Sequence, residues 1–205
     1  GTLYAGDGGR NYMRTIDNYY QDSFVAEVTI VVDTLGTDVA FFGLGSGDID
    51  QWGTPDFAGR PTVFMTPENG SLKANAADGI SGDWIAPDGG PTGDWSTAPA
   101  PGLVGANAGT HRLRMTFDAA AKTWTGSVDV DYAGGAFVAD ASTPTYNLTN
   151  LFDDGGFVAN GWPTLPSKIY FGGDDGAIFK DFKVTVGSAP VEDANFNDDS
   201  IVDGK

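Results

Sequence analysis

The sequence predicts an all-β fold, a single antiparallel β-sandwich. Of its 28 acidic residues only Glu27, Glu68 and Glu192 are Glu, which leaves 28 − 3 = 25 Asp. Asp favours turns and oxygen-ligand sites, whereas Glu favours helices. Thirty Gly and eleven Pro supply further turns. Between the turns lie short runs of β-branched and aromatic residues, with no amphipathic helical period and no internal repeat. A length of 205 residues at 40% hydrophobic content suits one sandwich with a real core.

The strands follow in order. "SFVAEVTIVVD" (23–33) and "VAFFGLGSG" (39–47) are joined by a Gly-containing turn and read as a hairpin. "RPTVFMTP" (60–67) is a third strand and "GSLKANAA" (70–77) a weaker fourth. Residues 78–109 read as one long loop rich in Gly, Pro and Asp, and long ordered loops in compact domains are usually functional. "HRLRMTFDAAAKTWTGSVDVDY" (111–132) is the clearest hairpin. His111, Leu113, Met115 and Phe117 share one face of it, and Arg112, Arg114 and Thr116 share the other. "SKIYFGGDDGAIFKDFKVTVG" (167–187) gives two more strands, with Ile178, Phe179, Phe182, Val184 and Val186 as the final core strand. "SAPVEDA" (188–194) reads as a linker, which bounds the sandwich at 1–187 and leaves 195–205 as a separate segment.

The charge balance excludes some partners. The net charge of −17 repels phosphate backbones and anionic lipid, so nucleic acid is not expected, and no apolar run is long enough for membrane insertion. With no Cys, disulfides, thiolate zinc sites and Cys nucleophiles are impossible. No segment reads as a signal peptide, so the chain reads as a mature or trimmed piece of a longer protein.

The order of the "FFGLG" strand, the "HRLRMTFD…WTGSVD" hairpin and the closing "IYFGGDDGAIFKDFKV" resembles a concanavalin A-like, laminin-G-like jelly-roll domain over residues 1–187. Domains of this kind are carried by secreted bacterial proteins. The resemblance implies two packed antiparallel sheets, one of them concave, a glycan ligand and a structural calcium ion. The tail "NFNDDSIVDGK" (195–205) is similar to the first calcium loop of a type I dockerin, an EF-hand-like loop. Asn195, Asn197, Asp199 and Asp203 would stand at its first four ligand positions. Ser200 replaces the usual turn Gly, and the last ligand position lies beyond Lys205. The resemblance therefore implies an exported parent of planctomycete type, with other modules of the same protein beyond this one; the plainer alternative is an acidic, disordered tail.

Catalytic machinery is hard to find. Jelly-roll glucanases mount paired acids as E-x-D-x-E on one strand, and that motif is absent. "DVD" sets Asp129 and Asp131 on one strand face, which reads as a solvated face. His111 is the only His and shares its register with core residues, so it reads as structural. The Y-x-K signature of some alginate lyases is missing.

Binding residues are easier to nominate. Sugars need flat aromatic faces for their C–H surface and polar groups for their hydroxyls. Trp124 lies in the hairpin and reads as core. Trp52, Trp84, Trp95 and Trp162 lie in Gly/Pro/Asp-rich segments, where each serves either as a ligand contact or as a lid on the core. Asp48, Asp50, Gln51 and Asp83 stand beside two of them as hydroxyl partners. Arg60 and Arg112 would meet an anionic sugar, although so few cations favour a neutral one. For calcium the candidates are Asp174, Asp175 and Asp181 beside the last strand, with Asp7 opposite; the alternative is ordinary Asp-Gly turn chemistry. The leading expectation is a non-catalytic polysaccharide-recognition domain, secreted or at the cell surface. A glycoside hydrolase or polysaccharide lyase with an atypical site, or an adhesive surface domain, remain the alternatives.

Overall fold

The computed structural model describes residues 3–4, 11–19, 21–32, 40–45, 62–77, 84–85, 96–103, 109–148, 167–173 and 178–187. Its strands, in chain order, are β1 (Leu3–Tyr4), β2 (Asn11–Arg14), β3 (Phe24–Val32), β4 (Phe41–Gly45), β5 (Thr62–Glu68), β6 (Ser71–Ala77) and β7 (Trp84–Ile85). They continue as β8 (Ser96–Pro99), β9 (Gly109–Asp118), β10 (Thr123–Asp129), β11 (Ala141–Ser142), β12 (Tyr146–Asn147), β13 (Lys168–Gly173) and β14 (Ile178–Val186). No helix occurs among the described residues.

The strands form two antiparallel sheets. Sheet one runs β1-β14-β3-β9-β10-β11, with β12 also on β10; sheet two runs β2-β13-β4-β5-β6-β7, with β8 also on β6. The expected hairpin of 23–33 with 39–47 is therefore overturned: β3 pairs with β14 and β9, while β4 pairs with β13 and β5. Proximity in sequence suggested a local pair, but both strands have core-facing residues and the chain crosses from one sheet to the other between them. β13 and β14 likewise belong to different sheets. The segment read as one long loop contains β8, whose Ser96–Pro99 pairs with Ala74–Ser71 of β6.

The two sheets bury one core between them. Sheet one contributes Phe24, Ala26, Val28 and Ile30 from β3, Leu113, Met115 and Phe117 from β9, and Trp124 and Val128 from β10. Sheet two contributes Phe42 and Leu44, Val63 and Met65, Leu72 and Ala74, and Ile169 and Phe171. Aromatic pairs join the layers: Phe171 lies 5.4 Å from Phe179 and 5.0 Å from Phe182, centroid to centroid. Such pairs contribute beyond their buried area. The single-faced reading of β9 holds, and Trp124 is fully buried, stacked 6.0 Å from Tyr146. The final core strand is shorter than expected: Phe179 is core, Phe182 and Val184 pack against it, and Val186 is 51% exposed.

Local chemistry sets the turns. Asn69 and Gly70 between β5 and β6 both have positive φ (35° and 78°), as a two-residue hairpin turn requires. Between β9 and β10, the Asp118 carboxylate accepts the N–H groups of Ala120 and Ala121 at 2.9 Å. After β10 the chain leaves the sheet as a strap, 130–140, that folds back on sheet one. The Asp129 carboxylate accepts the Val138 N–H at 2.8 Å, and the Asp140 carboxylate accepts the Val130 N–H at 2.7 Å. Asp129 and Asp131 consequently do not share a strand face: β10 ends at Asp129, and Asp131 has φ +55°. The Asp131 N–H donates to Nδ1 of His111, which is buried as its core register implied.

Candidate functional site

Register across sheet two brings one set of chain ends together. Lys168 pairs with Gly45, Gly45 with Thr62, Thr62 with Ala77, and Ala77 with Trp84. These five residues form a row across β13, β4, β5, β6 and β7. Residues 46–61 leave and re-enter the sheet at this row. Residues 78–83 leave at Ala77 and return at Trp84, and 149–166 lead into Lys168 through Ser167. Residues 86–95 run from Ile85 to Ser96, which stands three residues along β6 from the row. Asp48, Asp50, Gln51, Trp52, Arg60, Asp83, Trp95 and Trp162 all belong to these segments and lie outside the described residues. Trp84 is described as a backbone position on β7.

Beside the row, the face of sheet two turned away from the core is apolar and buried. Phe41, Phe64 and Tyr170 are each nearly inaccessible, yet none belongs to the core cluster between the sheets. They alternate with core residues Phe42, Val63 and Ile169, so they point the other way. Tyr170 lies over Gly43 and Gly45. A Cβ on Gly43 would meet Tyr170 Oη at 2.6 Å and Phe64 Cβ at 2.5 Å, so only Gly lets the ring lie there. Thr62 Oγ1 is 2.6 Å from Tyr170 Oη and also donates to the Leu44 carbonyl at 3.2 Å, which leaves the phenol as donor in their shared bond. Burial pushes the Tyr170 pKa far above its ordinary value, against the smaller opposing effect of Thr62. The phenol thus serves as a fixed donor and not as a base. On the same face Thr66 Oγ1 is buried without a hydrogen-bond partner among the described residues.

Sheet one carries a different cluster on its outer face. Arg112 holds Glu27 through Nη2 (2.8 Å) and Nε (3.2 Å) and gives Nη1 to Thr29 Oγ1 at 2.6 Å. Arg114 approaches the other oxygen of Glu27 through Nε at 2.7 Å and Nη2 at 2.5 Å. The strap supplies aromatic faces: Arg114 lies 3.9 Å from the Phe137 centroid and Arg112 lies 5.3 Å from that of Tyr132. Burial works to raise the Glu27 pKa, but the hydrogen bonds and charges of the two arginines outweigh it, and the net shift is downward. Arg112, nominated for an anionic sugar, is thus engaged by Glu27 and Thr29. Sequence reading placed Arg112 and Arg114 on one face but missed Glu27. The available signal was a lone Glu amid the β-branched residues of β3.

The metal candidates are mostly outside the described residues: Asp7, Asp174, Asp175, Asn195, Asn197, Asp199 and Asp203. Asp181 is described. It is exposed, with φ +54°, in a bulge where the register of β14 slips between Lys180 and Lys183. It borders a cleft of about 280 Å³ between β14 and β2, lined also by Met13, Arg14 and Phe182. Among the described residues no three His, Asp or Glu side chains converge as a metal would require.

No family model and no curated protein matches this chain. Solved structures do match. Lectin I from Ulex europaeus, in complex with the methyl glycoside of α-L-fucose, aligns over 91% of this chain and 86% of its own at 13% identity and a TM-score of 0.53. Lectin II from the same species aligns over 92% and 88% at 11% identity, with a TM-score of 0.52. The LG1–3 region of the laminin α2 chain aligns over 92% of this chain and 32% of its own, at 9% identity and a TM-score of 0.50. At these identities the likeness concerns the fold: this is a concanavalin A-like jelly-roll β-sandwich, shared by lectins and laminin G domains.

Proposed function

We infer that this domain is a non-catalytic glycan-recognition module that takes a polysaccharide at the row end of sheet two. The observation that carries the reading is the register row Lys168–Gly45–Thr62–Ala77–Trp84. It makes one end of one sheet the common origin of the segments bearing Trp52, Trp84 and Trp162 with Asp48, Asp50, Gln51, Asp83 and Arg60, and the segment bearing Trp95 joins β8 three residues along β6 from that row. Indole faces and hydroxyl acceptors sharing one origin are the two ingredients of a sugar site. That two structures with this fold are lectins supports the class of ligand without naming the sugar.

The domain serves as one module of a larger exported protein, secreted or held at the cell surface, with 195–205 opening a dockerin-like segment. Calcium, held by Asp174, Asp175 and Asp181 with Asp7, is a structural ion in this reading. Affinity electrophoresis through gels of neutral and acidic polysaccharides, with calcium and then with chelator, tests it. Retardation by one polymer class is expected, weakened by Trp52→Ala, Trp84→Ala, Trp95→Ala or Trp162→Ala. Migration unchanged in every polymer rejects the reading. Release of reducing ends or unsaturated sugars moves the domain to the glycosidase or lyase class.

A further inference from the structure

The chain has no Cys and three Met, so its oxidisable sulfur is thioether alone. Two of the three are sealed in the core: Met65 of β5 and Met115 of β9 are each 0% exposed. Met13 of β2 is 47% exposed. It is the one methionine that an oxidant in solution reaches without the sandwich opening.

Met13 also occupies a sensitive position. β2 is the edge strand of sheet two and pairs with β13. Register sets Met13 opposite Phe171, a core residue, so both turn toward the space between the sheets. There Met13 lines the cleft of about 280 Å³ between β2 and β14, together with Phe171, Phe179 and Phe182. Phe171 is packed against both of the other rings, which makes the floor of the cleft aromatic. Sheet one leaves this side open. β1 pairs with β14 at Ile178 and Phe179, and beyond them the register of β14 slips between Lys180 and Lys183. β2 itself is four residues long and continues into Thr15, which exchanges bonds with Ile169 at 2.9 and 3.1 Å. So short an edge strand depends on its side-chain contact with the core.

We propose that Met13 is an oxidation site, and that its sulfoxide unlatches β2 from the open side of the sandwich. The oxidant is a peroxide. Its O–O bond breaks, one oxygen bonds to Sδ, and the other leaves as water with both protons. The thioether loses two electrons and the peroxide gains them. A thioether packs well against aromatic rings through its polarizable sulfur. A sulfoxide oxygen needs a hydrogen-bond donor, which ring carbons do not supply. Arg14 and Lys180 border the same cleft and are solvated, so the donors on offer lie at its mouth and not at its floor. The oxidised side chain is drawn outward, and β2 loses its contact with the three rings. The change stays local, because β13 remains paired with β4 and the two core sulfurs remain sealed.

The test treats the full chain with hydrogen peroxide and follows it by peptide mass spectrometry and hydrogen exchange. Met13 should gain one oxygen about tenfold faster than Met65 or Met115. Amide exchange across 11–15 and at Ile169 should then rise by about fivefold, while β3 and β9 exchange as before. Met13→Leu should abolish the fast uptake and keep the slow exchange in peroxide. Met13→Gln, polar without oxidation, should show the fast exchange in the absence of peroxide. Uptake at Met65 or Met115 as fast as at Met13 overturns the site. Unchanged exchange in the oxidised protein or in Met13→Gln overturns the latch.

Discussion

The two sheets face each other across the same core but treat their outer faces in opposite ways. The central strands of sheet two are buried on both sides: every residue of β4 is buried, and β5 and β13 are buried at all but one position each. Sheet one alternates, as β9 and β14 show, and its outer face is charged or hydroxylated. The difference follows from composition at alternate positions. Phe41, Phe64 and Tyr170 stand where sheet one has Glu27, Arg114 and Thr125. An apolar second face must be covered, and long connections join sheet two at one end. A charged second face stays in contact with water, and a short strap held by carboxylate–amide bonds suffices.

Four substitutions break or sharpen that contrast. Phe64→Ala removes a buried ring from the outer face of sheet two and should cost about 3 kcal/mol, read by urea denaturation. A cost below about 1 kcal/mol would mean that this face is surface and the two sheets are alike. Glu27→Gln strands two arginines on sheet one and should cost about 2 kcal/mol, below the range for fully buried pairs because Arg114 is partly solvated. The effect depends on pH. A carboxyl whose folded pKa is depressed adds stability that is present above its unfolded value, about 4.3, and lost as pH falls through the lower folded value. The urea midpoint of the native protein should therefore fall in acid more steeply than that of the variant; parallel curves would deny the pair its role.

Tyr170→Phe deletes only the donor to Thr62 Oγ1, which keeps its bond to Leu44, so the loss should be about 1 kcal/mol by the same denaturation. A larger loss would show that the phenol has a further partner. Thr125→Ala on the outer face of sheet one should change the urea midpoint by less than about 0.5 kcal/mol equivalent, since its partner Thr145 is exposed. A cost near that of Phe64→Ala would erase the distinction between the sheets.

Alternation made sheet one readable. His111, Leu113, Met115 and Phe117 were assignable to the core, and Arg112 and Arg114 to the opposite face, because only one side of β9 is apolar. Sheet two offered no such clue. In "FFGLG" and "IYFGG" both faces are apolar or Gly, so the residues do not say which side is core. The candidate site was legible as residue types, Trp beside Asp, but not as a place. Trp52, Trp84 and Trp162 are far apart in sequence, and only pairing of β13, β4, β5, β6 and β7 gives their segments a common end.

By itself the sequence determined the longer strands, the turn at Asp118 and the β9–β10 hairpin, because these depend on neighbours a few residues apart. The tertiary structure decided which sheet each strand joins: it separated β3 from β4 and β13 from β14, and it gathered Glu27, Arg112 and Arg114 from strands 85 and 87 residues apart. Those choices rest on burying apolar faces between distant segments. That free energy belongs to the packed pair of sheets and is written in no single strand.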